Sequence, residues 1–175
     1  MKFGRKIDYK LVLIVFLNLC LITLYFYQKT DFHGDEIFSF AHANSRQGPY
    51  LAAGIDSFME DRQHHLYGQT FPAAFFNDYV TVKSGHGFEY GQIVSNLTDG
   101  VHPPFYYFVL HTVSSFFPET FSKWVGFPIN IVSFVFLIFF LYKISRFVFE
   151  DKNLCYLCVI LFGFSLANLN MAIFI

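Results

Sequence analysis

Long uncharged apolar blocks, interrupted by one extended polar stretch, limit what this chain can fold into. Residues 11–27, 104–117, 125–142 and 154–175 are the apolar blocks, and residues 29–103 are the mixed stretch. In lipid every backbone polar group must be satisfied inside its own segment, so such blocks are read as helices. Charged residues make up only 14% of the chain and apolar residues 54%, against about 25% charged in ordinary soluble domains. The expected fold class is therefore an all-α membrane protein. It has multi-pass transmembrane helices and a long first exterior loop containing short interfacial helices. Aromatic residues reach 22%, with 26 Phe, which fits lipid-facing and interfacial surfaces. The net charge of -1 carries no basic stripe, so no nucleic-acid partner is expected.

Three regions follow. Residues 1–28 hold the N-terminus and the first transmembrane helix. Lys2, Arg5, Lys6 and Lys10 precede that helix, which places the N-terminus in the cytoplasm of a multi-pass cell-membrane protein. The block spans about 26 Å, extended at the interface by Tyr25, Tyr27 and Gln28. A signal peptide is the rival, but no small-residue cleavage site follows. Residues 29–103 form the exterior loop, with six of the seven histidines. A stretch that long should carry structure of its own. Residues 35–45 fit a helix with Ile37, Phe38, Ala41 and Ser45 on one face and Phe40 beside them, capped by Asp35 or Gly34 and ended by Gly48-Pro49. Residues 71–79 form a second aromatic patch suited to the interface.

Residues 104–175 are expected to form further transmembrane helices. Pro103 and Pro104 fit a helix start. The chain stops inside an apolar block, so it is expected to be the N-terminal piece of a longer protein, inactive alone. One conflict arises if every block spans: residues 143–153 become exterior although they carry Lys143, Arg146 and Lys152. Either residues 104–117 do not fully cross or the first helix overrides this loop; the expectation is the second.

Few motifs bear on chemistry. Cys20 and the Cys155-x-x-Cys158 pair lie in apolar blocks, without the polar surroundings or further ligands of a zinc or redox site. His64-His65 lacks a third ligand at helical spacing, and His42 follows Asp35 by about two helical turns. Asn96-Leu97-Thr98 matches the glycosylation sequon, a common pattern. Asp35-Glu36 at a helix start is either a pair of first-turn acids complementing the dipole or a general base and its support. His102 before two prolines either caps the next helix or helps bind a phosphate. Tyr106 and Tyr107 either line a polyprenyl groove or belong to an interfacial aromatic belt.

Gly34-Asp35-Glu36-Ile37-Phe38 and Asp99-Gly100-Val101-His102-Pro103-Pro104-Phe105-Tyr106-Tyr107, together with Phe88-Glu89-Tyr90 and Phe121-Ser122-Lys123-Trp124, resemble the membrane glycosyltransferases of the GT-C fold. The likeness is to bacterial protein O-mannosyltransferase and aminoarabinose-transferase relatives. It runs from about Ile7 to the end and covers only the opening part of such an enzyme. The resemblance implies transfer of a sugar from a polyprenyl-phosphate donor to an unidentified acceptor at the exterior face of the lipid bilayer, with inversion. It implies Asp35 as catalytic base, Glu36 as supporting acid and His102 near the donor phosphate. Asp99, Tyr106 and Tyr107 are further substrate-binding candidates. Many relatives carry an acid two positions before the histidine; here Gly100 stands there and Asp99 is one further out. No cofactor is required by this likeness, though some relatives use a divalent metal. Two alternatives remain open: a non-catalytic binder of lipid-linked glycans or assembly subunit, and a transporter. The polar or helix-breaking positions Asn18, His111, Pro128 and Asn130 would serve the latter.

Overall fold

The computed structural model describes residues 8–46, 72–97 and 103–174. All regular structure among them is helical. In chain order the helices are α1 Tyr9–Gln28, α2 Gly34–Asn44, α3 Ala73–Val80, α4 Tyr90–Asn96, α5 Pro104–Ser115, α6 Lys123–Val148, α7 Lys152–Gly163 and α8 Leu166–Ile173. They belong to two compact units. The first comprises Met1–Asp31 and Pro128–Phe174, and the second Phe32–Phe127. The division falls inside α6, at Pro128, which lacks a backbone N–H to donate.

The first unit holds the helices fit to cross a membrane. α1 has 20 residues and α6 has 26, and both are long and apolar enough to span. At 1.5 Å per residue they reach about 30 and 39 Å, against a hydrocarbon core of about 30 Å. α7 and α8 meet at a 57° bend and qualify only as a pair. Asp8 ties one end of this unit together. Its carboxyl caps α1 through the Leu11 N–H at 3.2 Å and accepts the Tyr142 hydroxyl at 2.8 Å and the Tyr156 hydroxyl at 2.7 Å. Burial pushes its pKa up, but the phenols of Tyr156 and Tyr142 and the Leu11 amide outweigh this and hold it below the usual carboxylate range.

Asn18, Ile22 and Phe26 recur every four residues, so they form one buried stripe on α1. Asn18 donates to the Ile14 carbonyl at 3.0 Å. Its amide oxygen faces Gly163 so closely that a Cβ there would stand 2.3 Å from it. A side chain at this position would have to push the Asn18 amide aside where α7 meets α1. Asn130 donates to the Ala172 carbonyl at 3.2 Å and also to that of Phe174, so this polar group in an apolar span is satisfied by the end of α8.

The second unit differs from the sequence expectation in two ways. Residues 104–117 were expected to cross; α5 has 12 residues, about 18 Å. It is too short to span and buries Tyr107, Leu110, His111 and Ser114 within this unit. Those positions are spaced three and four apart, the pattern of one helix face. In α2 the expected face is buried in part, at Phe40, Ala41 and Ser45. Ile37 and Phe38 are exposed, while Glu36, Phe40, Ala41, His42, Ala43 and Asn44 are buried. The C-terminal half of α2 is enclosed on several sides, which a single-stripe pattern does not anticipate. The helix ends at Ser45; Gly48-Pro49 lies outside the described residues.

Gly163→Ala should lower the thermal unfolding midpoint of the detergent-solubilised protein, at a cost of about 1–3 kcal/mol from forced repacking. Adding Asn18→Ala should recover much of that loss. A single mutant as stable as wild type would mean that α1 and α7 do not cross this closely.

Candidate functional site

Two clusters of polar groups occupy opposite ends of α2, both inside the second unit. At the first turn stand the acids. His33, rather than Asp35 or Gly34, is the N-cap. Its Nδ1 accepts the Asp35 N–H at 3.3 Å, and its own N–H donates to Glu36 Oε2 at 2.7 Å. This is a capping box with histidine in the place usually held by serine or threonine. It separates two adjacent carboxyls: Glu36 is 0% exposed and holds the helix start from beneath, while Asp35 is exposed, with Oδ2 3.5 Å from His33 Nδ1.

Tyr106, on the first turn of α5, has a buried hydroxyl with no hydrogen-bond partner among the described residues. Burial, reinforced by the charges of Tyr107 and Glu36, pushes its pKa up to about 12. It remains a protonated phenol in the field of Glu36. Tyr107 is buried, its ring 5.3 Å from that of His42. These two tyrosines therefore line the interior of the second unit to a greater extent than an interfacial belt would require. Asp99 and His102 lie outside the described residues, as do His64 and His65.

At the other end of α2, Asn44 joins three elements. Its amide nitrogen donates to the Val80 carbonyl at 2.9 Å and to Ser114 Oγ at 3.2 Å, and its oxygen lies 3.2 Å from His111 Nδ1. Asn96 closes the same end, donating to the Ser45 carbonyl at 2.8 Å and the His42 carbonyl at 3.1 Å. Its amide is thus occupied and buried, which is incompatible with a glycan on that nitrogen in the folded chain. His42 is buried with Nδ1 2.8 Å from the Phe38 carbonyl, whereas Asp35 is exposed, so the two form no joint site.

Beside Asn44 lies a small open pocket of about 10 Å³, bordered by Arg46, Lys83, Glu89, Gln92 and His111. Arg46 donates to His86 Nε2 at 2.8 Å, and His86 Nδ1 lies 2.8 Å from Glu89 Oε1. Since Arg46 can only donate, Nε2 carries the lone pair and Nδ1 the proton. The loop beneath is pinned by Ser115, whose hydroxyl accepts the Phe88 N–H at 2.9 Å, and Phe88 adopts a positive φ of 63°. None of these contacts was anticipated from sequence; only the polarity of Asn44 and Asn96 within apolar surroundings hinted at them.

Among the described residues, no cluster of three or more His, Cys, Asp or Glu side chains is arranged to hold a metal ion. Comparison of the chain with family models, with curated proteins and with solved structures finds no match.

Glu36→Ala should cost about 1–2 kcal/mol by opening the capping box, while Glu36→Gln, which keeps the acceptor, should cost much less. Hydrogen exchange at the first turn of α2 reads this directly. Equal exchange in the alanine variant and wild type would remove Glu36 from the helix start.

Proposed function

We propose that this chain serves an inverting transfer of a sugar from a polyprenyl-phosphate donor to an acceptor hydroxyl at the exterior membrane face. One observation carries the reading: Asp35 presents an exposed carboxyl on a helix start held by its buried neighbour Glu36. A general base needs both accessibility and a fixed position, and adjacent acids in one flexible loop would supply only the first. In the proposed step, an Asp35 oxygen takes the proton of the acceptor hydroxyl. The acceptor oxygen, relieved of that proton, attacks the anomeric carbon, and the bond to the donor phosphate breaks with the electron pair leaving on phosphate. Glu36 acts through Asp35, by positioning. Tyr106 stands beside the same helix start with a hydroxyl free to donate.

The membrane topology in this proposal has α1 and α6 crossing once each, with α5 outside the bilayer. That choice replaces the override expected from sequence. Two crossings return Lys143, Arg146 and Lys152 to the side of Lys2, Arg5, Lys6 and Lys10, as the positive-inside rule asks. A single cysteine at Glu150, in a variant lacking the native cysteines, should label with an impermeant maleimide only after membranes are opened. Labelling in sealed, right-side-out membranes would reverse the assignment.

Asp35→Asn should reduce sugar transfer from a labelled polyprenyl-phosphate donor by roughly 10²- to 10⁴-fold at matched expression, in membranes holding the longest native form of the protein. Undiminished transfer would move the base elsewhere. Absence of transfer in both forms would favour the glycan-binding alternative.

A further inference from the structure

Two segments of the second unit, the loop 82–89 and the turn 116–122, are tied together by two hydrogen bonds. Ser115, at the end of α5, accepts the Phe88 N–H at 2.9 Å and gives its own hydroxyl proton to the His111 carbonyl at 2.7 Å. In the other direction, the Glu119 N–H donates to the Val82 carbonyl at 2.8 Å. Phe88 and Glu119 are also the two described residues other than glycine with a positive φ, 63° and 59°. A bulky residue in that region is strained and persists there only where its surroundings fix it. Here the two strained residues are the ones whose N–H groups make the ties.

That strain does not serve burial. Phe88 is 47% exposed, Phe116 67% and Phe117 53%. Phe88 and Phe116 meet edge to face, with ring centroids 5.3 Å apart. The ties therefore hold a pair of aromatic rings at the surface, with a third ring next in the chain. Large apolar groups fixed outside the core mark an interaction surface.

Position along the chain says what covers it. The turn runs directly into α6, which is long and apolar enough to cross a membrane. The apolar block 125–142 begins one residue after Trp124. Lys123 Nζ lies over the Trp124 ring at 5.6 Å, a cation and an indole together where headgroups meet hydrocarbon. Phe117 is separated from Lys123 by at most about 22 Å of chain. The Thr120 N–H folds that stretch back onto the Phe117 carbonyl at 3.3 Å and shortens it further.

We infer that Phe88, Phe116 and Phe117 form a membrane-docking surface that inserts among the headgroups and upper acyl chains of the exterior leaflet. The unit that presents Asp35 is then held to the bilayer by this surface as well as by its covalent link to α6. Such docking requires that α6 crosses, as in the topology proposed above, and is independent of the chemistry at Asp35.

Tryptophan fluorescence tests it, with the full chain in phosphatidylcholine–phosphatidylglycerol vesicles. The lipids carry bromine on the acyl chains near the headgroup, and iodide is present on both faces. Wild type has Trp124 as its single tryptophan, which reports the entry of α6. Trp124→Phe combined with Phe88→Trp or with Phe116→Trp reports the surface. A variant that loses the wild-type thermal midpoint is replaced by Phe117→Trp in the same background. Brominated lipid should quench the indoles at positions 88 and 116 about as strongly as Trp124, and iodide should quench them weakly. Strong iodide quenching at 88 and 116, with only Trp124 quenched by lipid, would overturn the docking surface and leave the crossing of α6 standing. Shielding of 88 and 116 from both quenchers would overturn it in favour of a protein cover, a second copy or a further segment. Lipid quenching at 88 and 116 without quenching at Trp124 would keep the surface and remove the crossing.

Discussion

The Asn44 amide is the interaction on which the second unit depends. One side chain, 4% exposed, reaches the end of α3 through Val80, the middle of α5 through Ser114 and the imidazole of His111. All its partners are buried or backbone groups, so each bond lost would leave a desolvated atom behind, at about 1–3 kcal/mol apiece. The same bonds fix which way the amide faces, and that orientation fixes the tautomer of His111. Packing and chemistry are joined here through a single rotamer. Asn96 acts in parallel by taking the carbonyls at the end of α2, so the terminus is closed by side chains from α4.

The opposite end of α2 shows how two adjacent acids acquire different roles. Successive helical positions are about 100° apart, so when one faces the interior the next faces away. Glu36 turns inward, toward the His33 N–H and the field of Tyr106, and Asp35 turns outward. The apolar cluster of Phe32, Phe40 and Phe121 backs this arrangement. Phe32 stacks on Phe121 at 4.3 Å and meets the edge of Phe40 at 6.1 Å. The segment just before α2 and the segment just before α6 are thereby held against the helix that presents Asp35.

Hydropathy exposed the long helices, because α1 and α6 need only length and apolar content to be recognised. At residues 104–117 it does not separate a crossing from burial. There the same apolar density serves burial within a folded unit, and His111 was the clue: a histidine in that run faces Asn44. The helix at the acidic pair was legible from its Gly34-Asp35-Glu36 start, but its cap was not, since histidine is an uncommon N-cap and its role depends on the Nδ1 lone pair. Phe40, Ala41 and Ser45 of the expected α2 face are buried, but Asn44 and His42, which count as polar in any periodicity, lie inside with them. α4 escaped notice altogether; seven residues carry too little periodic signal.

The polar residues of the apolar blocks also bear on the transporter alternative, because several of them hold backbone carbonyls at helix ends. A 57° bend between α7 and α8 interrupts the helical ladder, and side chains take up the carbonyls it frees. Asn168 donates to the Gly163 carbonyl at 3.1 Å and Ser165 to that of Phe162 at 2.8 Å, while Asn130 takes the Ala172 carbonyl at the end of α8, at 3.2 Å. Lys29 reaches the Ile173 carbonyl at 3.1 Å. The Asn18 amide packs against Gly163, and Pro128 lies inside α6, where it removes one N–H from the helical ladder. His111 belongs to the Asn44 network. A substrate pathway needs polar groups left available to a passenger, whereas these asparagines and this serine are committed to closing a broken helix. Among the described residues, the exposed Asp35 carboxyl and the unpartnered Tyr106 hydroxyl and His111 Nε2 lie in the second unit, and the unpartnered Asn18 Oδ1 lies in the first.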